Sequence, residues 1–405
     1  MRSAWLAPAM SQRMAHVRHA RHSFLRVRRS LSSDAVSPNE IQLLQQVSRL
    51  EARVHELEAE LPPRVQPARI EDWENLGFGI TATNGHVRYT WSPKTSSWDA
   101  GQFFSEPYVR MHIHAGVLHY GMALFEGCKA FRCSDGKIRV CNLDENSARL
   151  NAGAARLVMA PVPKSMFNEA IDWAVRMNKE YVPPYGSGGS LYIRPFLIGN
   201  GAMLGLQPCP GFQFMVSVIP VGNYFGKGPI KGIHANVMTS FDRAAPNGTG
   251  DVKAGGNYAA DLLPLKIAKE AGFGTTLYLD SKEHRYVEEF SVSNFIGISS
   301  SGAYVTPSSS SILPSITNKM LMAIAKDKGI PVEQRDLEYS ELSAFREIGA
   351  CGTATVVAPI ASLTDANGRS EFGTFSVLNS LREELQRIQV GDSEDLHGWM
   401  REVRC

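Results

Sequence analysis

The chain has 405 residues, a formal net charge of +2 and 43% hydrophobic residues, which is the composition of a globular protein of about two domains. The near-neutral charge argues against a nucleic-acid partner, and the longest apolar runs are too short to span a membrane. Its six cysteines include no Cys-x-x-Cys pair, so the sequence favours neither a zinc site nor a disulfide framework.

The first 33 residues are rich in arginine, serine and histidine and contain no acidic residue before Asp34. No apolar segment follows the charges, so this composition predicts an organelle transit peptide rather than a secretory signal. We expect cleavage near residues 30 to 35 and delivery to the mitochondrial matrix. A chloroplast address, or a disordered basic tail on a cytoplasmic protein, stays open as an alternative.

Residues 40–61 predict a short amphipathic helix. Its apolar residues alternate in spacings of four and three, as in a coiled-coil seam; they are Leu43, Val47, Leu50, Val54, Leu57 and Leu61. Fewer than three heptads are present, so a lone solvent-exposed helix is an equal alternative. Pro62 and Pro63 then end the helix, and we place the folded body after residue 64.

The body alternates strand-like and helical segments, which predicts an α/β (α+β) fold. Expected strands cover 86–91, 138–141, 190–197, 212–219, 234–240, 276–279, 294–298 and 353–359, with helices at 164–180, 257–271 and 316–328. A Gly- and Pro-rich segment at 221–231 reads as a linker. It divides the body into a small α/β domain at 65–225 and a larger domain at 226–405, with the active site between them.

The segment GDVKAGGNYAAD, residues 250 to 261, places Lys253 among glycines just before a predicted helix. We expect Asn257 to cap that helix, its apolar face to be buried and Pro264 to kink it. A lysine can be a covalent catalyst if its amine is neutral at working pH, which requires burial or a neighbouring positive charge. The pair His112 and His114 lacks accompanying carboxylates or cysteines, so we expect no metal site.

Pyridoxal phosphate would make three further demands. Its phosphate requires arginine and helix-start amides, its pyridine nitrogen a carboxylate, and its ring hydroxyl a polar partner. The sequence offers a candidate for each need: Arg149, Ile316, Thr317, Thr353, Glu289 and Tyr258.

Taken together, these segments resemble class IV (fold type IV) aminotransferases, and among them branched-chain amino-acid aminotransferases of the eukaryotic type. The resemblance runs from about residue 70 to 385 through YGMALFEGCKAFR, SLYIRP, DVKAGGNYAAD, VEEFSVSN, ILPSIT and GACGTATVVAPI. It implies reversible, ping-pong transfer of the amino group of L-leucine, L-isoleucine or L-valine to 2-oxoglutarate. A D-amino-acid aminotransferase, an aminodeoxychorismate lyase and a non-catalytic protein that binds pyridoxal phosphate stay open as alternatives.

The resemblance also implies roles for single residues. Lys253 would form the Schiff base and carry the proton, Glu289 would pair with the pyridine nitrogen, and Tyr258 would bond the ring oxygen. The phosphate would lie against Arg149 and the amides of Ile316, Thr317 and Thr353, with Arg243 beside the cofactor. The substrate side chain would be enclosed by Phe78, Tyr120, Phe125 and Tyr224, with Tyr192 and Arg194 at the polar edge. The amides of Thr353 and Ala354 would bind the substrate carboxylate.

A homodimer is implied as well, because in the family a loop after the SLYIRP strand reaches the other subunit's substrate. Here that loop places Leu204 and Leu206 on either side of Gly205. Two positions depart from the family. Val292 replaces a common Thr or Ser near Glu289, and Thr355 and Ala358 occupy the places of a Cys-x-x-Cys redox pair found in some animal members. We therefore expect no thiol switch of that kind.

Overall fold

The computed structural model describes residues 38–59, 65–222 and 232–404, and the chain divides into two units between residues 64 and 65. In the first unit a helix, α1 (Pro38–Ala59), is present over residues 40–59 of the predicted range 40–61, and its Leu43 and Leu50 are exposed; Leu61 lies outside the described residues. The predicted transit peptide, Tyr224 and most of the predicted linker lie outside the described residues. Within the described parts, no helix has both the length and the apolar character needed to cross a membrane.

The body, residues 65–404, is built on two sheets. The first contains β1 (His86–Ser92), β2 (Ser97–Trp98), β3 (Gln102–Phe104), β4 (Ala123–Phe125), β5 (Cys128–Arg132), β6 (Ile138–Cys141), β7 (Ser190–Gly199), β8 (Phe212–Val221) and β18 (Met400–Glu402). Its main path runs β18-β6-β5-β7-β8-β1-β2, with β3 beside β1 and β4 beside β7. Helices α2 (Gly116–Tyr120), α3 (Leu143–Arg156) and α4 (Lys164–Met177) belong to the same half.

Strand β7 shows why this sheet forms and how it presents polar groups. Leu191 and Ile193 are fully buried in the core, whereas Tyr192 and Arg194 alternate with them and are only half-buried. Successive side chains of a strand point to opposite faces, so Tyr192 and Arg194 share the other face. The β7–β8 hairpin fixes this register over ten antiparallel pairs, from Ser190↔Val221 to Gly199↔Phe212.

The second sheet contains β9 (Ile233–Met238), β10 (Thr275–Leu279), β11 (Val287–Phe290), β12 (Ser293–Ile298), β13 (Tyr304–Pro307), β14 (Val332–Arg335), β15 (Glu347–Gly352), β16 (Val356–Asp365) and β17 (Gly368–Glu371). Its path is β11-β10-β9-β16-β15-β12-β13-β14, with β17 beside β16. The helices of this half are α5 (Gly255–Ala260), α6 (Leu262–Glu270), α7 (Ile316–Asp327) and α8 (Ser376–Val390). Apolar residues of α7 and α8 form one core cluster with residues of β12, β15 and β16.

Two segments from the second half of the chain pack onto the first sheet. Strand β18, at the end of the chain, pairs with β6 of the first sheet, so that Met400 lies opposite Cys141. Val252 and Ala254, which follow the second sheet's first strand, belong to the first half's hydrophobic core, and Ala254 bridges to Leu124 of β4. The division of the body at residues 225 and 226 therefore stays a prediction, and these segments cross it.

Most predicted elements of the body are present within two or three residues of their expected ends, but three predictions were wrong in detail. The strand expected at 353–359 begins only at Val356, because residues 353–355 form a turn. The helix expected at 257–271 is two helices, α5 and α6, that meet at Asp261. This break is a consequence of Pro264, which has no N–H to donate to the carbonyl of Ala260.

The third error concerns the start and the face of that helical segment. Asn257 is not the cap, since α5 begins two residues earlier, after Ala254. The expected apolar face is not buried as a whole, because Leu262, Leu263 and Ile267 are exposed while Ala268 is buried.

Candidate active site

Lys253 lies on the connection into α5, and this connection is held tightly. The side-chain amide of Asn257 donates to the carbonyls of Thr249, at 2.6 Å, and Val252, at 2.8 Å. The backbone N–H of Phe125 in β4 donates to the carbonyl of Lys253, at 3.1 Å. The lysine is thus fixed against the first sheet although it belongs to the second half of the sequence.

Glycine is required at position 250, where the connection lies very close to another backbone segment. A Cβ at Gly250 would lie 2.1 Å from the backbone oxygen of Ser311, in the segment that precedes α7. Arg243 donates to both backbone carbonyls, to Ser311 at 3.1 Å and to Gly250 at 3.4 Å. Gly250 therefore allows the lysine's connection to lie against the 311 segment.

The amine of Lys253 is in an environment that favours its neutral form. Its Nζ donates to the hydroxyl of Tyr258, at 2.8 Å, and lies 4.8 Å from the ring centre of Phe125. Burial, followed by the positive charge of Arg149, lowers the pKa of Lys253 from 10.5 to about 7. Burial also raises the pKa of Tyr258 to about 12, so the tyrosine keeps its proton at neutral pH.

Glu289 is a buried carboxyl group of this region. It lies in β11, where its Oε1 accepts from the backbone N–H of Leu313, at 2.9 Å, and forms an ion pair with Nη2 of Arg243, also at 2.9 Å. Burial raises the pKa of Glu289 to about 7, against the opposing attraction of Arg243. Glu289 and Lys253 are near enough for each charge to shift the other group's pKa.

A third feature is an arginine held by a fully buried carboxylate. Arg149, on α3, donates through Nε and Nη2 to the two carboxylate oxygens of Glu126, both at 2.8 Å, and through Nη1 to the carbonyl of Pro314, at 2.8 Å. The side-chain amide of Asn146 also donates to Glu126, at 2.7 Å. Three of the guanidinium's five N–H groups are thereby engaged, so two are left for an anion.

The start of α7 faces the same region. Ser315 caps this helix, and its hydroxyl accepts from the backbone N–H of Asn318, at 3.1 Å. Ile316 and Thr317 line one small cavity together with Thr353, Gly127 and Asn146. The first amides of a helix have no intrahelical acceptor and bear partial positive charge, so this cavity is suited to an anion.

The turn that carries Thr353 and Ala354 is held by the first half of the chain. The hydroxyl of Thr353 donates to the carbonyl of Gly127, at 3.3 Å, and Nζ of Lys129 donates to the carbonyl of Ala354, at 2.8 Å. Val356, which ends the turn, has φ of +62°, a conformation rare for a β-branched residue. Burial lowers the pKa of Lys129 to about 8.

An aromatic and cationic wall lies next to Lys253. The guanidinium carbon of Arg194 is 4.8 Å from the ring centre of Phe125 and 5.2 Å from that of Tyr192, and its Nη2 donates to the hydroxyl of Tyr192, at 3.2 Å. A Cβ at position 127 would lie 2.2 Å from the same hydroxyl, so Gly127 is needed there.

Sequence reasoning missed two charged residues of this region, Glu126 and Lys129. Both are buried, and both lie in the YGMALFEGCKAFR segment. The available signal was their charge within the strand-like run LFEGCKAF, since charged groups are seldom buried without a partner.

Other proposed pocket residues lie on the surface of the single chain. Leu204 and Leu206 are 77% and 83% exposed, and Phe78 and Tyr120 are also exposed. The hydroxyl of Tyr120 donates to the carbonyl of Leu204, which joins α2 to the loop after β7. Tyr224 falls outside the described residues.

Comparison with known proteins identifies the family that this chain resembles. The sequence model of the amino-transferase class IV family matches residues 123–363. Branched-chain-amino-acid aminotransferases of Helicobacter pylori and Haemophilus influenzae are both 42% identical to the chain, and each alignment covers 82% of this chain and 98% of the relative. The chloroplastic branched-chain amino acid aminotransferase 2 of Humulus lupulus is 39% identical, with 82% of this chain and 81% of the relative covered.

Comparison with solved structures finds similarity to the same group of proteins. The branched-chain amino acid aminotransferase of Escherichia coli matches with a TM-score of 0.65 and 26% identity, over 78% of this chain and 99% of that one. The branched-chain amino acid aminotransferase of Thermobaculum terrenum, solved in its PLP-form, shares the fold with a TM-score of 0.68 and 20% identity, over 80% of this chain and 100% of that one. Since the family match covers more than half of the sequence and spans Lys253, Glu289 and the cavity at α7, this chain belongs to the class IV aminotransferases.

Proposed function

We propose that the protein is a pyridoxal-phosphate-dependent transaminase that moves the amino group of L-leucine, L-isoleucine or L-valine reversibly to 2-oxoglutarate. The observation that carries this proposal is Lys253, a partly buried lysine whose pKa is lowered to about 7 and whose amine contacts Tyr258. The names of the relatives at 42% identity support the choice of substrates.

The residues present fit the cofactor. Its phosphate would lie in the cavity at the start of α7, against the amides of Ile316, Thr317 and Thr353 and the two remaining N–H groups of Arg149. Glu289 would pair with the pyridine nitrogen, and Arg243 fixes the orientation of that carboxylate. When bound, the cofactor supplies an electron sink for the substrate's α-carbon.

The chain's own residues then move and hold protons. A neutral Lys253 amine would accept the proton of the substrate α-carbon and deliver it to C4′ of the cofactor within the same half-reaction, and the second half would run the same transfer in reverse. The hydroxyl of Tyr258 accepts from the amine of Lys253 and would donate its own proton to the cofactor's ring oxygen. Thus one lysine serves both directions, as the two halves of a ping-pong reaction require.

Substrate recognition is assigned to both halves of the chain. The amides of Thr353 and Ala354 would bind the carboxylate. Lys129 fixes this turn by donating a hydrogen bond to the carbonyl of Ala354. Phe125 would contact the aliphatic side chain, with Tyr192 and Arg194 at the polar edge. Apolar contacts discriminate by only about 1 to 3 kcal/mol per methylene, so all three amino acids should be accepted.

We also propose that the active form is a homodimer. Segment 112–120 lies beside the loop after β7, since Met203 N donates to His114 O at 2.9 Å and Ala115 bridges to Ala202. The two segments together expose a set of large apolar side chains: Ile113, Leu118, Leu204 and Leu206. A second copy that buries this surface would complete the pocket, to which Tyr120, Phe78 and Tyr224 are also assigned.

Two assignments concern the organisation of the chain. Residues 65–225 and 226–405 are proposed as two domains with the site between them. Residues 1–33 are proposed as a transit peptide that directs the protein to the mitochondrial matrix. The chloroplastic relatives of plants make plastid import the main alternative.

One experiment tests the activity and separates its rivals. The visible absorbance of the protein loaded with cofactor is recorded before and after L-leucine, D-leucine or 4-amino-4-deoxychorismate. A change with L-leucine that 2-oxoglutarate reverses supports the proposal. A response to D-leucine or 4-amino-4-deoxychorismate alone would identify a different class IV enzyme, and no response to any of them would indicate a binding protein.

A further inference from the structure

A buried acidic residue lies at the junction of α5 and α6 and takes no part in the chemistry described above. Asp261 is almost fully buried, and both of its carboxylate oxygens accept hydrogen bonds. The hydroxyl of Tyr278 in β10 donates to Oδ1, and the hydroxyl of Ser291, which follows β11, donates to Oδ2. In the described part of the chain, its side-chain hydrogen-bond partners are thus two hydroxyl groups.

This arrangement calls for an explanation, because burying a carboxylate is costly even when it is hydrogen-bonded. An apolar residue at the same place would avoid that cost and would leave the two hydroxyl donors as the only polar groups to satisfy. Stability by itself therefore gives a poor account of Asp261.

The position of Asp261 offers a better account. It lies three residues, about one helical turn, after Tyr258, whose hydroxyl contacts Lys253. Its partner Ser291 is two residues after Glu289, and the backbone of Ser291 is fixed by a hydrogen bond from its N–H to the carbonyl of Thr276, at 2.9 Å. One carboxylate thus joins the helix of Tyr258 to the strand of Glu289.

We propose that Asp261 is a positioning residue that holds Tyr258, and through it the amine of Lys253, at a fixed place relative to Glu289. This link matters because α5 has only six residues and its last two, Ala259 and Ala260, are exposed, so the end of the helix next to Asp261 has little packing of its own. The inference rests on the roles proposed above for Tyr258 and Lys253.

Asp261→Ala removes both hydrogen bonds, and Asp261→Asn is the matched conservative variant, since an amide can accept from one hydroxyl and donate to the other. We expect Asp261→Ala to lower kcat by about 10- to 100-fold with little change in KM for L-leucine, because a shift of about 1 Å is enough for such a loss. Asp261→Asn should restore most of kcat. Equal losses in both variants would overturn the hydrogen-bonding role.

A double-mutant cycle tests whether Asp261 acts through Tyr258. In the Tyr258→Phe background, Asp261→Ala should cause little further loss of kcat, because the group that it positions is already gone. An undiminished loss in that background would overturn the inference. If Tyr258→Phe by itself leaves kcat unchanged, the proposed role of Tyr258 fails instead, so the two failures are distinguishable.

A second readout does not depend on activity. In the cofactor-free protein, hydrogen exchange of the amides in α5 should be about tenfold faster in Asp261→Ala than in the wild type. Tyr339→Phe is the control, since it removes a comparable tyrosine–aspartate bond, to Asp365 at 3.0 Å, far along the chain from α5. Faster exchange in α5 of the control, or unchanged exchange in Asp261→Ala, would contradict the proposal.

If Asp261→Ala does not fold, variants of its two hydrogen-bond partners provide the same test. Tyr278→Phe and Ser291→Ala each remove one donor and leave Asp261 in place. Each should lower kcat by about threefold or more and speed exchange in α5, with the double variant more severe. Wild-type kcat and exchange in both single variants would refute the positioning role.

Discussion

Replacing Lys253 by methionine removes a charge that the folded protein accommodates poorly. The lysine's pKa is lowered from 10.5 to about 7, chiefly by burial and then by Arg149. Below pH 7 the amine is charged in both the folded and the unfolded chain, so the full cost of burying that charge is present. As pH rises from about 7 to 10.5 the folded amine is neutral, and the cost declines to zero.

The size of the effect follows from this shift. The lowering of the pKa from 10.5 to about 7 means that the buried charge reduces the unfolding free energy of the wild-type apoprotein by about 5 kcal/mol at low pH. Methionine has a similar volume and no charge, but it loses the hydrogen bond to Tyr258, which is worth about 1 kcal/mol. We therefore expect Lys253→Met to be more stable than the wild type by about 4 kcal/mol at pH 6, and by about 0 at pH 9.5.

The assay is urea unfolding of the two cofactor-free proteins at both pH values, and the quantity compared is the difference between them. Lys266→Met is the control, because this lysine lies on the surface, with its Nζ 3.8 Å from Glu270. Its effect should be small and the same at both pH values. A Lys253→Met difference that does not change with pH, or that has the opposite sign at pH 6, would refute the account of Lys253.

Further predictions concern the site, the assembly and the leader. Borohydride reduction of the loaded protein followed by peptide mapping should label Lys253, and a label on another lysine would contradict the assignment. Glu289→Gln should lower kcat by about 100-fold or more while most cofactor affinity remains, because a neutral amide cannot hold the protonated pyridine ring; near-normal turnover would mean that another group pairs with the ring. Replacing both Leu204 and Leu206 with Asp should dissociate the dimer or abolish turnover of leucine; unchanged sedimentation together with an unchanged preference for leucine over alanine would place the whole site in one chain. A fusion of residues 1–40 to a reporter should enter mitochondria, and a cytosolic signal would refute the address.

Local features of the body could be read from the sequence because their causes are local. The strand-like segments at 190–197 and 212–219 predicted β7 and β8, since strand propensity is a property of a short run of residues. Pro264 was expected to disturb its helix, and the helix is broken at Asp261, because a missing N–H acts on the carbonyl four residues earlier. The Gly-rich segment around Lys253 was likewise recognisable, since glycine alone tolerates the close approach made at Gly250.

Features that depend on pairing between distant residues could not be read in this way. Glu126 was missed although it holds Arg149, because its burial depends on α3 and the segment before α7 meeting β4. The exposure of Leu262 was also unexpected, since an apolar face looks the same in sequence whether it is covered or open.

The sequence by itself determined which residues could perform the chemistry, because a lysine, a carboxyl group, an arginine and a helix start are each visible as residue types in a recognisable order. Only the tertiary structure decided what state those groups adopt. The pKa of the Lys253 amine falls to about 7 because residues from β4, α3 and α5 remove it from water and place Arg149 nearby. Desolvation and charge proximity act through space, so the sequence shows which ionisable groups are present but not their pKa values.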